Sequence, residues 1–133
     1  MLADRGGVMG IYFMPFLRPS GQPTAPDVIR HIEHALQIAG EDHVGIGTDG
    51  AVPSVVHIKE YRESQKSFFE ERRKLGIAAP GESPDVMLLV PEYNSPRRLE
   101  RLADDLLKRG HSTGRVEKIL GGNFARLFSE VWS

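Results

Sequence analysis

The strongest constraint on the fold of this chain is a pair of short apolar runs that contain glycine. One amphipathic helix is predicted between them. The first run, residues 7–16 (GVMGIYFMPF), is bounded by glycine and proline and is short, so it predicts a buried strand. The second run, VGIG at residues 44–47, predicts another strand. Between them, apolar residues recur at helical spacing. A strand, a helix of about four turns and a strand are typical of a parallel βαβ unit.

The ends of the connecting helix are marked by residues with defined capping chemistry. Thr24 is a good N-cap, Pro26 suits the first turn, and Asp27 is placed to complete a capping box. Gly40 supplies a left-handed stop. The face predicted to be buried consists of Val28, Ile32, Ala35, Leu36 and Ala39.

The second half of the chain predicts mostly helices. One runs from about residue 54 to residue 75 and ends at Gly76. Residues 77–94, rich in Pro, Gly and Glu, predict an irregular segment with a short extended piece at residues 87–90. Another helix follows Ser95-Pro96 and ends at Gly110. Its predicted inward residues are Leu99, Leu102, Ala103, Leu106 and Leu107.

Two further helices complete this prediction. Ser112 caps a short helix that runs to Leu120 and is broken by the following glycines. Asn123 then caps a final helix. The apolar residues of the final helix are Phe124, Leu127, Phe128 and Val131.

Composition excludes several classes of protein. Lys and Arg number 17 against 18 Asp and Glu, for a formal charge of −1, so nothing favours a nucleic-acid partner. The absence of cysteine excludes disulfides and thiolate metal sites. The aliphatic run at residues 86–90 is far too short to span a bilayer, so no membrane association is expected. A cytoplasmic protein is the default expectation.

Two strands this apolar do not make a stable sheet alone, because parallel strands are normally covered on both faces and paired on both edges. The 133 residues are therefore predicted to be a single partial domain of a larger α/β protein.

A carboxylate follows the second strand directly. In βα folds the reactive groups lie at the carboxyl ends of the strands, and Asp49 occupies that place. Gly45 and Gly47 remove side chains from one face of the strand, and Gly50 allows a tight turn that would hold Asp49 towards a site. The competing interpretation is that Asp49 is a turn residue or a helix N-cap, since Asp-Gly is a common turn dipeptide.

Four blocks in this order, GGVMGIYFMPF, DVIRHIEHALQIAG, EDHVGIGTDG and KILGGNFARLF, resemble the membrane (renal) dipeptidase family of the amidohydrolase superfamily. The resemblance implies a metal-dependent dipeptidase with a (β/α)8 TIM-type barrel and a two-metal site, usually zinc, at its carboxyl-end mouth. Residues 6–13 match the seventh strand and residues 43–49 the eighth. Residues 59–94 form an insert that is the least typical part.

The resemblance also implies roles for individual residues. Asp49 matches the catalytic aspartate, which accepts a proton from the metal-bound water and passes it towards the leaving amine, while the strand glycines keep the narrow barrel interior clear. Tyr12, Phe13 and Met14 match substrate-facing positions, where many relatives read Asn-Phe-Tyr-Pro, so Met14 replaces a tyrosine. Residues 50–52 replace the Phe-Asp-Gly of many relatives.

The family's metal ligands all lie upstream of the GGV block, so none is expected in this chain. His31 and His34, one turn apart, fit a solvated helix face better than a metal site. Three interpretations stay open: the carboxyl-terminal part of a metallodipeptidase, with dipeptide substrates; an inactive module that folds by self-association or with the missing amino-terminal part of the barrel; or an independent small α/β protein. The first predicts that the isolated chain binds no stoichiometric zinc and is inactive.

Overall fold

A pair of short parallel strands joined by one helix organises the chain. The computed structural model describes residues 2–49, 53–80 and 82–132. Strand β1 (Met9–Ile11) pairs in parallel with β2 (Val44–Ile46), with Gly10 opposite Gly45. Helix α1 (Ala25–Ala39) connects them, which confirms the predicted strand–helix–strand order. Two parallel strands with several helices make this an α/β structure.

The first strand is shorter than the sequence predicted. Its ladder continues only through a hydrogen bond from the Phe13 N–H to the Thr48 carbonyl, at 3.3 Å. The chain then enters a 3₁₀ turn at Pro15–Leu17, because Pro15 lacks the N–H that a ladder needs and fixes φ near the helical value. Residues 15–16 therefore leave the strand.

Both ends of α1 form as predicted. The Thr24 N–H and hydroxyl each donate to the Asp27 carboxylate at 2.8 Å, which completes the capping box. Gly40 ends the helix with φ of 86°, a region that glycine reaches without steric cost. The buried face of α1 belongs to the core: Val28, Ile29, Ile32 and Ala35.

Four more α-helices follow. They are α2 (Ile58–Lys74), α3 (Arg98–Lys108), α4 (Thr113–Glu117) and α5 (Asn123–Val131). Gly76 and Gly110 follow α2 and α3 with positive φ, and the Ser112 hydroxyl accepts a hydrogen bond from the Arg115 N–H, all as predicted. A π turn at Lys118–Gly122 joins α4 to α5. Gly121 leaves the helical conformation there, with φ of 163° and ψ of −21°, which confirms the predicted break between the two helices. None of the helices in these residues is long and apolar enough to cross a bilayer.

The predicted inward face of α3 is too wide. Leu102 and Leu106 are fully buried, whereas Leu99 and Leu107 are 41% and 43% exposed. The helix packs along the single row of residues that are four positions apart, which leaves the flanking leucines at the edge of the contact. On α5, the apolar residues Phe128 and Val131 are exposed.

Asn123 is not a cap, contrary to the sequence prediction. It is the first residue of α5 and is 3% exposed. Its Nδ2 donates to the carbonyls of Glu41 and Val44, each at 2.8 Å. Asn123 therefore ties α5 to the start of β2, a long-range role that local spacing does not reveal.

Helix α5 closes the amino ends of the two strands. One guanidinium nitrogen of Arg126 donates to the carbonyls of Gly6 and Asp42, at 3.2 and 3.0 Å. Phe124 packs against Gly45, where an added Cβ would lie 2.5 Å from the ring. The Phe124 side chain thus fills the space that the absent Cβ of Gly45 leaves, so α5 packs closely against β2.

The predicted extended piece at residues 87–90 does not form a strand. The side-chain amide of Gln22 takes the place of a partner strand there. It accepts a hydrogen bond from the Met87 N–H at 2.8 Å and donates to the carbonyls of Met87 and Leu89 at 3.1 and 2.6 Å. Side-chain pairing satisfies the backbone groups that a neighbouring strand would otherwise bond.

Candidate functional site

Asp49 lies just beyond the carboxyl ends of the two strands, and α5 lies at their amino ends. The last ladder bonds run from the Gly47 N–H to the Ile11 carbonyl at 3.0 Å and from the Phe13 N–H to the Thr48 carbonyl. Asp49 follows at once, with an exposed side chain. The two strands are parallel, so their carboxyl ends lie together. In βα folds the reactive groups lie at these ends.

The backbone of Asp49 is in the left-handed region. Its φ is 51°, the only positive value of a residue other than glycine among the described residues. Asp and Asn adopt this conformation more readily than other side chains, but it is still uncommon. Strained backbone of this kind is concentrated at functional sites, so the conformation adds a second observation to the position of Asp49. Gly50, predicted to form the turn after it, lies outside the described residues.

The three predicted substrate-facing residues take different positions. Phe13 is buried, and its ring stacks on Tyr93 with centroids 5.2 Å apart. Tyr12 is half-buried and stacks on Phe16 at 6.3 Å. Burial, with a further contribution from the charge of Asp49, raises the pKa of the Tyr12 phenol. Tyr12 therefore stays neutral beside the carboxylate over the physiological pH range.

A cavity of about 260 Å³ joins these residues to distant parts of the chain. Phe13, Met14 and Asp49 line it. Residues of α2, the start of α3 and the irregular segment before α3 line it as well. Its polar groups include the Tyr61 hydroxyl and the guanidinium of Arg98, whose Nε donates to the Ser95 carbonyl at 3.0 Å.

The irregular segment is the part of this site that the sequence did not predict. The side chain of Asn94 accepts a hydrogen bond from the Val55 N–H at 2.7 Å and donates to the Val55 carbonyl at 2.8 Å. The Tyr61 hydroxyl donates to the Leu88 carbonyl at 3.4 Å. No periodic pattern marks these contacts, and the Pro-rich composition of the segment was the only available signal.

The described residues do not build a metal centre. Among residues 2–49, 53–80 and 82–132, no three His, Asp or Glu side chains come together as possible ligands. The histidines with a recorded contact have structural partners: His31 and His43 lie 2.8 Å from the carbonyls of Leu17 and Gly7, and His111 lies 3.3 Å from Glu33. Asp49 alone supplies too few donors for a catalytic zinc, which takes about three protein ligands.

Comparison with known proteins places this geometry in context. The model of the membrane dipeptidase family (peptidase family M19) matches residues 1–68. The chain is 29% identical over 136 residues to an uncharacterized protein in the pqqA 5′ region of Klebsiella pneumoniae, covering 98% of this chain and 38% of that protein. It is 27% identical over 133 residues to dipeptidase tcpJ of Claviceps purpurea, covering 98% of this chain and 23% of that protein.

The chain is also similar to a solved structure. An amidohydrolase from Pseudomonas aeruginosa superposes with a TM-score of 0.69 and 28% identity, over 98% of this chain and 38% of that one. The chain thus spans well under half the length of each of these relatives.

Proposed function

Since the chain belongs to the membrane dipeptidase family of peptidases, we propose that it is part of a hydrolase that cleaves the amide bond of dipeptides, with Asp49 as its proton-transfer residue. The observation that carries the proposal is the place of Asp49. An exposed carboxylate in a strained backbone conformation ends β2 and borders the cavity.

The chemistry assigned to Asp49 is proton transfer. Its carboxylate takes a proton from the water that attacks the scissile carbonyl and later delivers a proton to the leaving amine nitrogen. A positioned general base contributes about 10²–10⁴-fold to the rate. Phe13 and Met14 border the same cavity, and with the neighbouring Tyr12 they are proposed to contact the substrate.

The wider architecture is part of the same proposal. We assign β1 and β2 to the seventh and eighth strands of a (β/α)8 barrel, with Asp49 at the mouth and α5 at the opposite end. The likeness to the solved amidohydrolase supports this assignment. Two zinc ions would supply Lewis-acid chemistry to the complete site, held by residues other than those described here. The 133-residue chain alone is then expected to bind no stoichiometric zinc and to hydrolyse no dipeptide.

The proposal is tested by Asp49→Asn in the natural full-length protein. This substitution keeps size and most hydrogen bonding but removes the ability to take a proton. We expect kcat to fall by about 10²–10⁴-fold, with zinc content and melting temperature unchanged. Asp104→Asn, an exposed aspartate on α3, is the matched control and should leave all three unchanged. Near-normal kcat with a lowered melting temperature would make Asp49 a turn residue instead.

One observation favours the second candidate, an inactive module that folds by association. Apolar side chains are exposed beside the strand pair and along α5, with Met9 40% and Trp132 76% exposed. Each strand has only one partner among the described residues, so each presents an unpaired edge. Sedimentation of the 133-residue chain discriminates: a concentration-dependent oligomer supports association, and a cooperatively folding monomer opposes it.

A further inference from the structure

The irregular segment that lines the same cavity as Asp49 is a fixed wall. We define the wall as residues 86–94, which contain no strand and no α-helix. Two side-chain amides hold it. Gln22 makes three hydrogen bonds to the backbone of Met87 and Leu89, and Asn94 makes two to the backbone of Val55.

Contacts of two tyrosines also hold the wall in place. Tyr93 is 2% exposed, stacks on Phe13 and donates its hydroxyl to Asp105 at 2.9 Å. Tyr61 of α2 donates to the Leu88 carbonyl. Gln22 in the loop before α1, Tyr61 of α2 and Asp105 of α3 each hold part of the wall. The wall therefore has a defined position in the cavity that Asp49 also lines.

The surface that the wall presents to the cavity is mainly aliphatic. Leu88 and Leu89 are half-buried and border the cavity, so their side chains are available to a ligand, whereas Val90 is buried in the core. Phe13 and Met14 extend the apolar lining of the cavity. A cavity of about 260 Å³ is smaller than the roughly 300–1,000 Å³ of pockets for drug-sized ligands, and it suits one amino-acid side chain.

Resting on the proposed function, we propose that the wall is the specificity-determining surface of the site and that it accepts one apolar side chain of the dipeptide. Leu88 and Leu89 make the contacts. Asn94 is a positioning residue, because it fixes the wall to the segment at Val55 that lies between Asp49 and α2. Apolar pockets discriminate side chains by the area that the ligand buries, at about 10–200-fold for each methylene in favourable cases.

The test uses Leu88→Ala and Leu89→Ala in the natural full-length protein, with Leu99→Ala as control. Leu99 is an exposed leucine on α3 that does not border the cavity. The substrates are Gly-Leu, Leu-Gly and Gly-Gly, so that either position of the apolar residue is sampled. We expect the wall variants to lower kcat/KM for one leucine dipeptide by about tenfold and to leave Gly-Gly unchanged.

Asn94→Ala tests the positioning role separately. A displaced wall should raise KM for the leucine dipeptide while kcat stays near its normal value, and melting temperatures confirm that each variant folds. If the leucine-to-glycine preference is the same in Leu88→Ala, Leu89→Ala and Leu99→Ala, the wall assignment is overturned and the hydrolase stands. If the unmodified protein turns over no dipeptide, the proposed function falls, and this assignment falls with it.

Discussion

The contact between Gly45 and Phe124 makes the sharpest prediction about stability. A Cβ built on Gly45 would lie 2.5 Å from Cε2 and 2.8 Å from Cδ2 of the Phe124 ring, closer than carbon atoms can approach. The ring stacks on Phe128, which in turn stacks on Trp132 with centroids 4.5 Å apart, so moving the ring disturbs this stack. Gly45→Ala must therefore displace the Phe124 ring or move β2 away from α5.

The magnitude follows from the general penalty for overpacking. An extra methyl group in a packed site destabilises by about 1–3 kcal/mol. For a chain of this length each kcal/mol corresponds to roughly 4 °C in melting temperature, so we expect a drop of about 4–12 °C. Thermal unfolding followed by circular dichroism measures it. The fluorescence of Trp132, the single tryptophan, should also change as the ring stack is disturbed.

Gly47→Ala is the matched control. It follows the last residue of β2 directly, and among the described residues an added Cβ there would meet only the Gly10 Cα at 3.8 Å, an ordinary contact. The double variant Gly45→Ala/Phe124→Ala should be more stable than the sum of the single changes predicts, by about 1 kcal/mol or more. Equal melting temperatures for Gly45→Ala and Gly47→Ala would refute the steric argument. Strictly additive effects in the double variant would refute it as well.

Three further outcomes are expected. Asn123→Ala should destabilise by about 1–3 kcal/mol in urea unfolding, because two backbone carbonyls at the start of β2 lose their donor; an unchanged midpoint would contradict this. Burial would raise the pKa of Asp27, but hydrogen bonds from Thr24 and the charges of Arg18 and Arg30 outweigh burial and lower it. Its contribution to stability is then present above about pH 4 and lost as the pH falls below that value. As the pH is lowered below about 4, the melting temperature of Asp27→Asn should therefore fall less steeply than that of the unmodified chain. The melting temperature of Asp49→Val should be lower than that of Asp49→Gly, by an amount equivalent to about 1–2 kcal/mol. The reason is that only glycine holds the left-handed conformation of residue 49 without steric cost. The reverse order of melting temperatures would show that this conformation carries no strain.

Features set by local chemistry were predictable from the sequence. The capping box of Thr24 and Asp27, the stops at Gly40 and Gly76, and the parallel pairing across α1 all depend on spacing within a few residues or on a general rule of connection. The position of Asp49 at the carboxyl end of β2 follows from the same reasoning. Its role in catalysis stays a proposal.

Features set by long-range packing were not predictable. Leu99 and Leu102 have the same chemical character, and only the position of the neighbouring elements leaves one exposed and the other buried. Asn123 reads as a cap because its partners at Glu41 and Val44 lie about eighty residues away. The wall carries no regular pattern, because side-chain amides and not a repeating backbone ladder hold it.

The closure of the strand ends by α5 has a consequence for the order of events during synthesis. The bond between Asn123 and the Val44 carbonyl spans 79 residues, and the bond between Arg126 and the Gly6 carbonyl spans 120. A ribosome adds about 5–20 residues per second, so β2 waits roughly 4–16 s for Asn123 to be made. Contacts this distant in sequence form late and slowly. The strand pair that carries Asp49 is therefore finished only after translation of α5, and a nascent chain that stops before residue 123 exposes both strands to chaperones and proteases.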